Sequence, residues 1–275
     1  MGRPTKIEGN DKHPASLGGT DIFTQAALLG MYDPDRSQTI TQNGDVNSWS
    51  AFVRETKGPL MVQKNIGGSG IRILTQTISS PSLADQLRAF LKIYPQAKWH
   101  VYEPVNRDNV LEGAKLAFGQ PVETRYDFSK ADVIVSLDAD FLYAGYPGNT
   151  RYIRDFASRR NPDGKMSRFY AIESTPTSTG AKADHRLPVR AEEVTRLARL
   201  IASGNSGLSL NSMTADISAF LGALEADLAK SRGKSVLIAG DHQPPEVHEP
   251  RLDPRAIWFC VDFRAACTTR RAGTG

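Results

Sequence analysis

Five acidic residues stand just past apolar, β-rich runs: Glu103, Asp138, Asp140, Glu173 and Asp241. Open α/β sheets bind ligands beyond the carboxyl ends of their strands, so chemistry is sought at these positions first. Asp138 and Asp140 could hold a magnesium ion, yet strand-end carboxylates also cap the next turn through its backbone N–H groups. His185 stands between Asp184 and Arg186. Neighbours on a strand point to opposite faces, which excludes a direct acid–base dyad and favours charge pairing. His242 and His248 have no third ligand at a zinc spacing. The GGSG run at 67–70 precedes its strand, so it reads as a turn and not as a phosphate loop, which would follow a strand and open a helix. No G-x-S-x-G nucleophile elbow occurs. Cys260 and Cys267 are the only cysteines, too few for a four-cysteine cluster or zinc site. Read from the residues, the chain offers no catalytic and no metal-binding constellation.

The elements that must position these residues follow an α/β pattern. Residues 1–58 are rich in Gly, Pro, Asp and Thr, with a turn signal at YDPDRS, and read as an extended lead-in whose only helical stretch is 22–31. From Ile71 short β-rich runs alternate with amphipathic helices, the signature of a parallel sheet covered by helices on both faces. Strands are expected at 71–76, 98–103, 131–141, 168–173 and 235–240. A helix opening near Ser82 carries Leu83, Leu87, Phe90 and Leu91 on one face. Another carries Val110, Leu111, Ala114, Ala117 and Phe118 and stops at Gly119, which suits a left-handed cap. Residues 150–160 read as a basic surface helix. Val194, Leu197 and Ile201 mark a further stripe, and Ile217, Phe220, Leu221, Leu224 and Leu228 another. The α/β region is thus expected over 59–248. Residues 249–275 show no hydrophobic period and are compatible with a shifted reading frame or with a poorly ordered terminus.

The 275 residues, 40% of them hydrophobic, can bury a substantial core. The formal charge of +4 is spread along the chain without a basic block, so nucleic acid is not implied as a partner. No apolar run approaches the roughly 20 residues of a membrane-spanning helix, and the start lacks the apolar core of a secretory signal.

Stretches at the start, middle and end of residues 2–248 resemble molybdopterin oxidoreductases. GRPTKIEGNDKHP, followed by YDPDR, is similar to the segment by which that family leaves its N-terminal iron–sulfur region. FGQPVETRYDFSKADVIVSLDADFL and RFYAIESTPTSTGAKADHRLPV look like its strand–helix–strand unit and its later strand with a Thr-rich loop, and GKSVLIAGDHQPPEVH resembles the strand before its cofactor-facing glycine loop. Residues 2–248 most resemble the molybdopterin-like, iron–sulfur subunits of alternative complex III, a membrane quinol-oxidising complex. The resemblance implies a Rossmann-like fold, an export segment before Gly2, a ferredoxin-like domain after His248 and a place on the periplasmic face of a bacterial membrane. It further implies other complex subunits as partners, no cofactor in this chain, and iron–sulfur clusters in the C-terminal domain. Departures from the family agree with cofactor loss: no cysteine lies near 18–29, and PVRAEEV stands where relatives carry Pro-Gly-Thr-Asp. Glu173, Ser174, Thr175 and Asp184 occupy the loop that would touch the pterin's nucleotide in active relatives. They are the degenerate cofactor-binding candidates, against a loop held by its own Asx- and Ser/Thr-type bonds.

Three functions are therefore expected in order: a cofactor-poor scaffold in an electron-transfer complex, a fragment of an active enzyme holding molybdopterin dinucleotide, and a nucleotide-binding α/β module. The last lacks a G-x-G-x-x-G or Walker loop.

Overall fold

In the computed structural model, residues 3–13, 16–78, 80–203, 214–248 and 264–265 are described. They form two compact units, one of residues 3–28 with 107–265 and one of residues 29–106.

The first unit opens with the short helix α1 (Ile22–Ala26), capped by the Asp21 carboxylate. In the second unit a β-hairpin comes next, β1 (Ile40–Gln42) with β2 (Asp45–Asn47), turning through Asn43 and Gly44 at positive φ. Helix α2 (Trp49–Asn65) follows, then β3 (Arg72–Thr75), α3 (Pro81–Ile93) and β4 (Lys98–Val101), with β3 and β4 paired in parallel. The strand–helix–strand reading of 71–103 is thus observed. Hairpin and α2 lie where an extended lead-in was expected. Asn-Gly between extended residues is a strong hairpin signal. Gly58 and Pro59 sit mid-helix in α2, and both residue types disfavour a helix interior, which hid the helix from propensity. The GGSG run is the turn expected. Gly67 and Gly68 hold φ of 64° and 81°, a left-handed pair that closes α2 and redirects the chain into β3.

The first unit resumes with α4 (Asp108–Phe118), which ends on a left-handed Gly119, and β5 (Val122–Glu123), paired antiparallel with β10 (Arg264–Ala265). Apart from that dipeptide, the atypical segment 249–275 lies outside the described residues. The main sheet is built from β6 (Val133–Leu137), β7 (Arg168–Glu173), β8 (His185–Pro188) and β9 (Ser235–Ala239), with α5 (Asn149–Ser158) after β6, and α6 (Ala191–Ser203) and α7 (Ala215–Lys230) between β8 and β9. All four strands are parallel in the order β8-β7-β6-β9.

Alternation along the strands divides the core in two. Val133, Val135, Leu137, Tyr170, Ile172 and Leu237 pack against Val194, Leu197, Ile201, Leu221 and Leu224 of α6 and α7. Ile134, Phe169, Val236 and Ile238 pack on the other face against Phe128, Phe141 and the α5 residues Tyr152 and Phe156. The sheet therefore carries helices on both faces, which is the α/β class expected, and β6 and β9 are near-continuous apolar runs because both their faces are buried. Helix α5, expected on the surface, buries Tyr152, Asp155 and Phe156 because its aromatic residues share one face. No helix among the described residues is long and apolar enough to cross a membrane.

Each fully buried Leu, Ile or Phe contributes about 1.5–3 kcal/mol by leaving water. Ile172, in the interior strand β7, is fully buried. Ile172→Ala is expected to lower stability by about 2–5 kcal/mol, as a cavity with little room to collapse would. A urea titration followed by far-UV circular dichroism reads this as a lower midpoint at unchanged slope.

Candidate functional site at the carboxyl edge of the sheet

The chain leaves β6 towards β7 and β8 on one side, then crosses to β9 on the other side of β6. Loops that depart in opposite directions make the carboxyl ends of β6 and β9 the switch point of the sheet, the usual ligand position in such folds. Asp138, Asp241, His242 and Gln243 lie at this edge, and the loop after β7 brings Ser174 to it.

Asp138 is the hub. Its φ is 57°, a left-handed conformation that Asp tolerates better than most residues. The buried Ser136 hydroxyl closes the turn, donating to the Ala139 carbonyl at 2.9 Å and accepting from the Ala139 N–H at 3.1 Å. Gly240 makes the approach of β9 possible, since a Cβ there would lie 2.2 Å from the Asp138 carbonyl oxygen. The Asp138 carboxylate accepts from the Ser174 N–H and the Ser174 hydroxyl, both at 2.9 Å. It also meets His242 Nε2 at 3.2 Å and accepts from Gln243 Nε2 at 3.4 Å. Burial works to raise this carboxyl's pKa, but the bonds from His242 and Ser174 outweigh it and hold the value below the ordinary one. The hydrogen bond to Asp138 raises His242 above the ordinary imidazole value against the opposing effect of burial, with the Asp138 and Asp241 charges adding to it. The histidine ring remains 64% exposed.

The other acids are partnered from within the protein. Asp140 accepts from the Thr179 N–H at 2.9 Å and the Thr179 hydroxyl at 2.5 Å. Glu173 is buried and pairs with Arg186 Nε, while the Thr177 hydroxyl donates to it at 2.6 Å. Asp241 lies 3.3 Å from Arg107 Nε, and Arg107 also reaches Glu123 at 3.4 Å. His248 accepts no charge easily: burial pushes its pKa down to about 4, and its Nε2 sits 3.2 Å from the Gln243 carbonyl.

The four cofactor candidates are not brought together. Ser174 joins the Asp138 hub, Glu173 is committed to Arg186, and Thr175 is exposed. Asp184 binds Arg160 through two bonds of 2.8 and 2.6 Å and accepts the Phe169 N–H at 2.8 Å. Burial raises the Asp184 pKa, and these bonds more than offset it, leaving the carboxyl below its ordinary value. Among the described residues His185 itself makes no ion pair of the kind expected. Its neighbours take Arg160 and Glu173 as partners, and its ring stacks on Tyr170 with centroids 4.6 Å apart. The pairing of His242 with Asp138 was not anticipated, because 104 residues separate them. The available signal was that both follow strand ends. Among the described residues no group of three or more His, Cys, Asp or Glu is placed to hold a metal ion, and Cys260 and Cys267 lie outside those residues.

No protein-family model matches the chain, and no curated protein matches its sequence. Among solved structures the fold is similar to that of acetylene hydratase from Pelobacter acetylenicus, with a TM-score of 0.51 at 13% identity, over 79% of this chain and 31% of that one. The chain thus spans less than a third of the length of that protein, and the likeness shows the α/β fold alone.

Two substitutions test the edge. Because pairing raises His242, its stabilising contribution is fully present below the unfolded imidazole's pKa of about 6.5 and is lost as pH rises through the raised folded value. Asp138, held low, contributes above the unfolded carboxyl's pKa of about 3.9 and loses that contribution as pH falls through its lowered folded value. Asn tolerates the left-handed backbone, so Asp138→Asn removes the charge and keeps the turn. NMR titration of the His242 ring is expected to show a raised pKa that drops towards the ordinary value in Asp138→Asn; an unchanged titration would show that the pair does not form. Arg186→Ala leaves the buried Glu173 carboxylate without its cation, for an expected loss of about 3–5 kcal/mol in urea unfolding, partly restored by adding Glu173→Gln.

Proposed function

We propose that the chain is an oxidoreductase-like scaffold: a molybdopterin-type α/β body that has lost its cofactor and serves inside a quinol-oxidising, membrane-associated complex of the alternative complex III type. The fold likeness supports the oxidoreductase-like body. The resemblance of residues 2–248 to that subunit class supports the finer reading. In this proposal electrons pass through iron–sulfur clusters of a ferredoxin-like domain elsewhere in the protein, on the periplasmic face, and the α/β body presents surfaces to partner subunits.

The observation that carries the reading is the occupation of the strand-end edge by the protein's own side chains. A pterin dinucleotide brings a pyrophosphate, and anions at such edges are held by free backbone N–H groups and cations. Here the Ser174 N–H is committed to Asp138 and the Thr179 N–H to Asp140. Arg186 is committed to Glu173, and Arg107 stands 3.3 Å from Asp241 and 3.4 Å from Glu123, although its buried Nε makes no hydrogen bond among the described residues. A pyrophosphate would face Asp138, Asp140 and Asp241 with no uncommitted arginine among these. The residues present do not fit the dinucleotide.

The test uses the complete protein isolated from its source membranes under non-denaturing conditions. Molybdenum, tungsten and iron are measured by mass spectrometry, and pterin by fluorescence after oxidation. The expected result is iron without molybdenum, tungsten or pterin. Stoichiometric pterin would overturn the cofactor-free scaffold and favour a fragment of an active molybdopterin oxidoreductase.

A further inference from the structure

The β3–β4 pair has one face whose composition specifies an occupant. In the parallel register Arg72 lies opposite Lys98 and Leu74 opposite His100. These four residues share a face, and all four are exposed, Leu74 to 71%. On the other face Ile73, Thr75 and Trp99 are half-buried, and the Trp99 indole N–H donates to the Thr75 hydroxyl at 2.9 Å. Parallel sheets are ordinarily covered on both faces, and like charges set opposite one another on adjacent strands are unfavourable. Yet Arg72 and Lys98 stand side by side, and among the described residues neither has a carboxylate partner. The Arg72 guanidinium instead donates to the Ser69 and Ile71 carbonyls at 2.7 and 2.8 Å.

We propose that this face docks an amphipathic helix of a partner polypeptide, one whose apolar stripe is flanked by Asp or Glu. Two strands spaced about 4.8 Å apart present a face about as wide as one helix, roughly 10 Å across. Four residues of strand extend about 13 Å, the length of some nine residues of helix. Leu74 meets the apolar stripe, while Arg72, Lys98 and His100 meet the flanking carboxylates. A second copy of the same face is excluded as occupant by charge, since basic residues would meet basic residues. This inference deepens the scaffold reading and rests on it in taking a partner subunit as the natural occupant.

The experiment measures fluorescence anisotropy with the complete chain. The probe is a labelled synthetic helix-forming peptide with a leucine stripe flanked by glutamates. Controls are the same peptide with lysines for glutamates, and vesicles of phosphatidylserine. The acidic peptide is expected to bind, to weaken with added salt, and to weaken about tenfold, or 1.4 kcal/mol, in Lys98→Glu. Leu74→Asp is expected to weaken it similarly. Both sites are exposed, and circular dichroism checks that the variants fold. Absence of binding, equal binding of the lysine peptide, preference for vesicles, or indifference to both substitutions would overturn the proposal. Pterin content separates the two readings. A pterin-free protein that ignores the acidic peptide sinks the docking face alone, whereas one that holds pterin and binds the peptide sinks the cofactor-free reading alone.

Discussion

A parallel sheet gathers the ends of all its strands at one edge, and in this protein that edge is acidic. Asp138, Asp140, Glu173 and Asp241 arrive there because each directly or closely follows a strand of the main sheet. A carboxylate drawn out of water without a partner costs several kcal/mol, so a cation or donor beside each of these acids stabilises the fold. The answers come from separated parts of the chain. Ser174 and His242 serve Asp138, Thr179 serves Asp140, Arg186 and Thr177 serve Glu173, and Arg107 stands by Asp241. Meeting this constraint ties together the loops after β6, β7 and β9.

The apolar side is settled within the same unit. Alternate residues of β6 send Val133, Val135 and Leu137 to the α6–α7 face and Ile134 to the α5 face, so each strand feeds both halves of the core. The second unit has no equivalent. Its buried side chains are the small Ala51, Ala84 and Ala97, together with Tyr94, while Trp49, Met61, Val62, Leu74 and Tyr102 remain more than 60% exposed. A two-stranded sheet with so little buried around it is marginal in water. These exposed apolar residues are ones that the proposed docking of another polypeptide would help to cover.

The regular elements of the α/β region were legible because hydrophobic period and helix stops are local. The stripe ending at Gly119 and the unbroken apolar run of β6 each identify their element from a few neighbouring residues. Helix α2 was not legible, since Gly58 and Pro59 argue against a helix and only Ala51 is buried along it. The strand β8 was hidden because its four residues His-Arg-Leu-Pro carry no alternation of the usual kind, and its edge position tolerates the terminal proline. The candidate site was half legible. Strand-end acids could be named in advance, but their partners could not: Glu173 pairs with Arg186 and Asp184 with Arg160. Which cation answers which acid depends on register across the sheet, and sequence spacing does not carry that information.

The polar network also explains why the edge can be closed to anions and still be retained. An anion site at strand ends works by leaving backbone N–H groups without partners until the ligand arrives, which keeps its loops adaptable. Here a carboxylate already stands where such an anion would, and it takes up the N–H of Ser174 and of Thr179. A side chain of the protein cannot diffuse away, so the loops are held in one arrangement at all times. Buried networks of this kind contribute less to net stability than to selecting one packing over its alternatives. In the proposed scaffold role that selection is the useful property, and a left-handed Asp138 held by four donors from two other loops is the residue on which it turns.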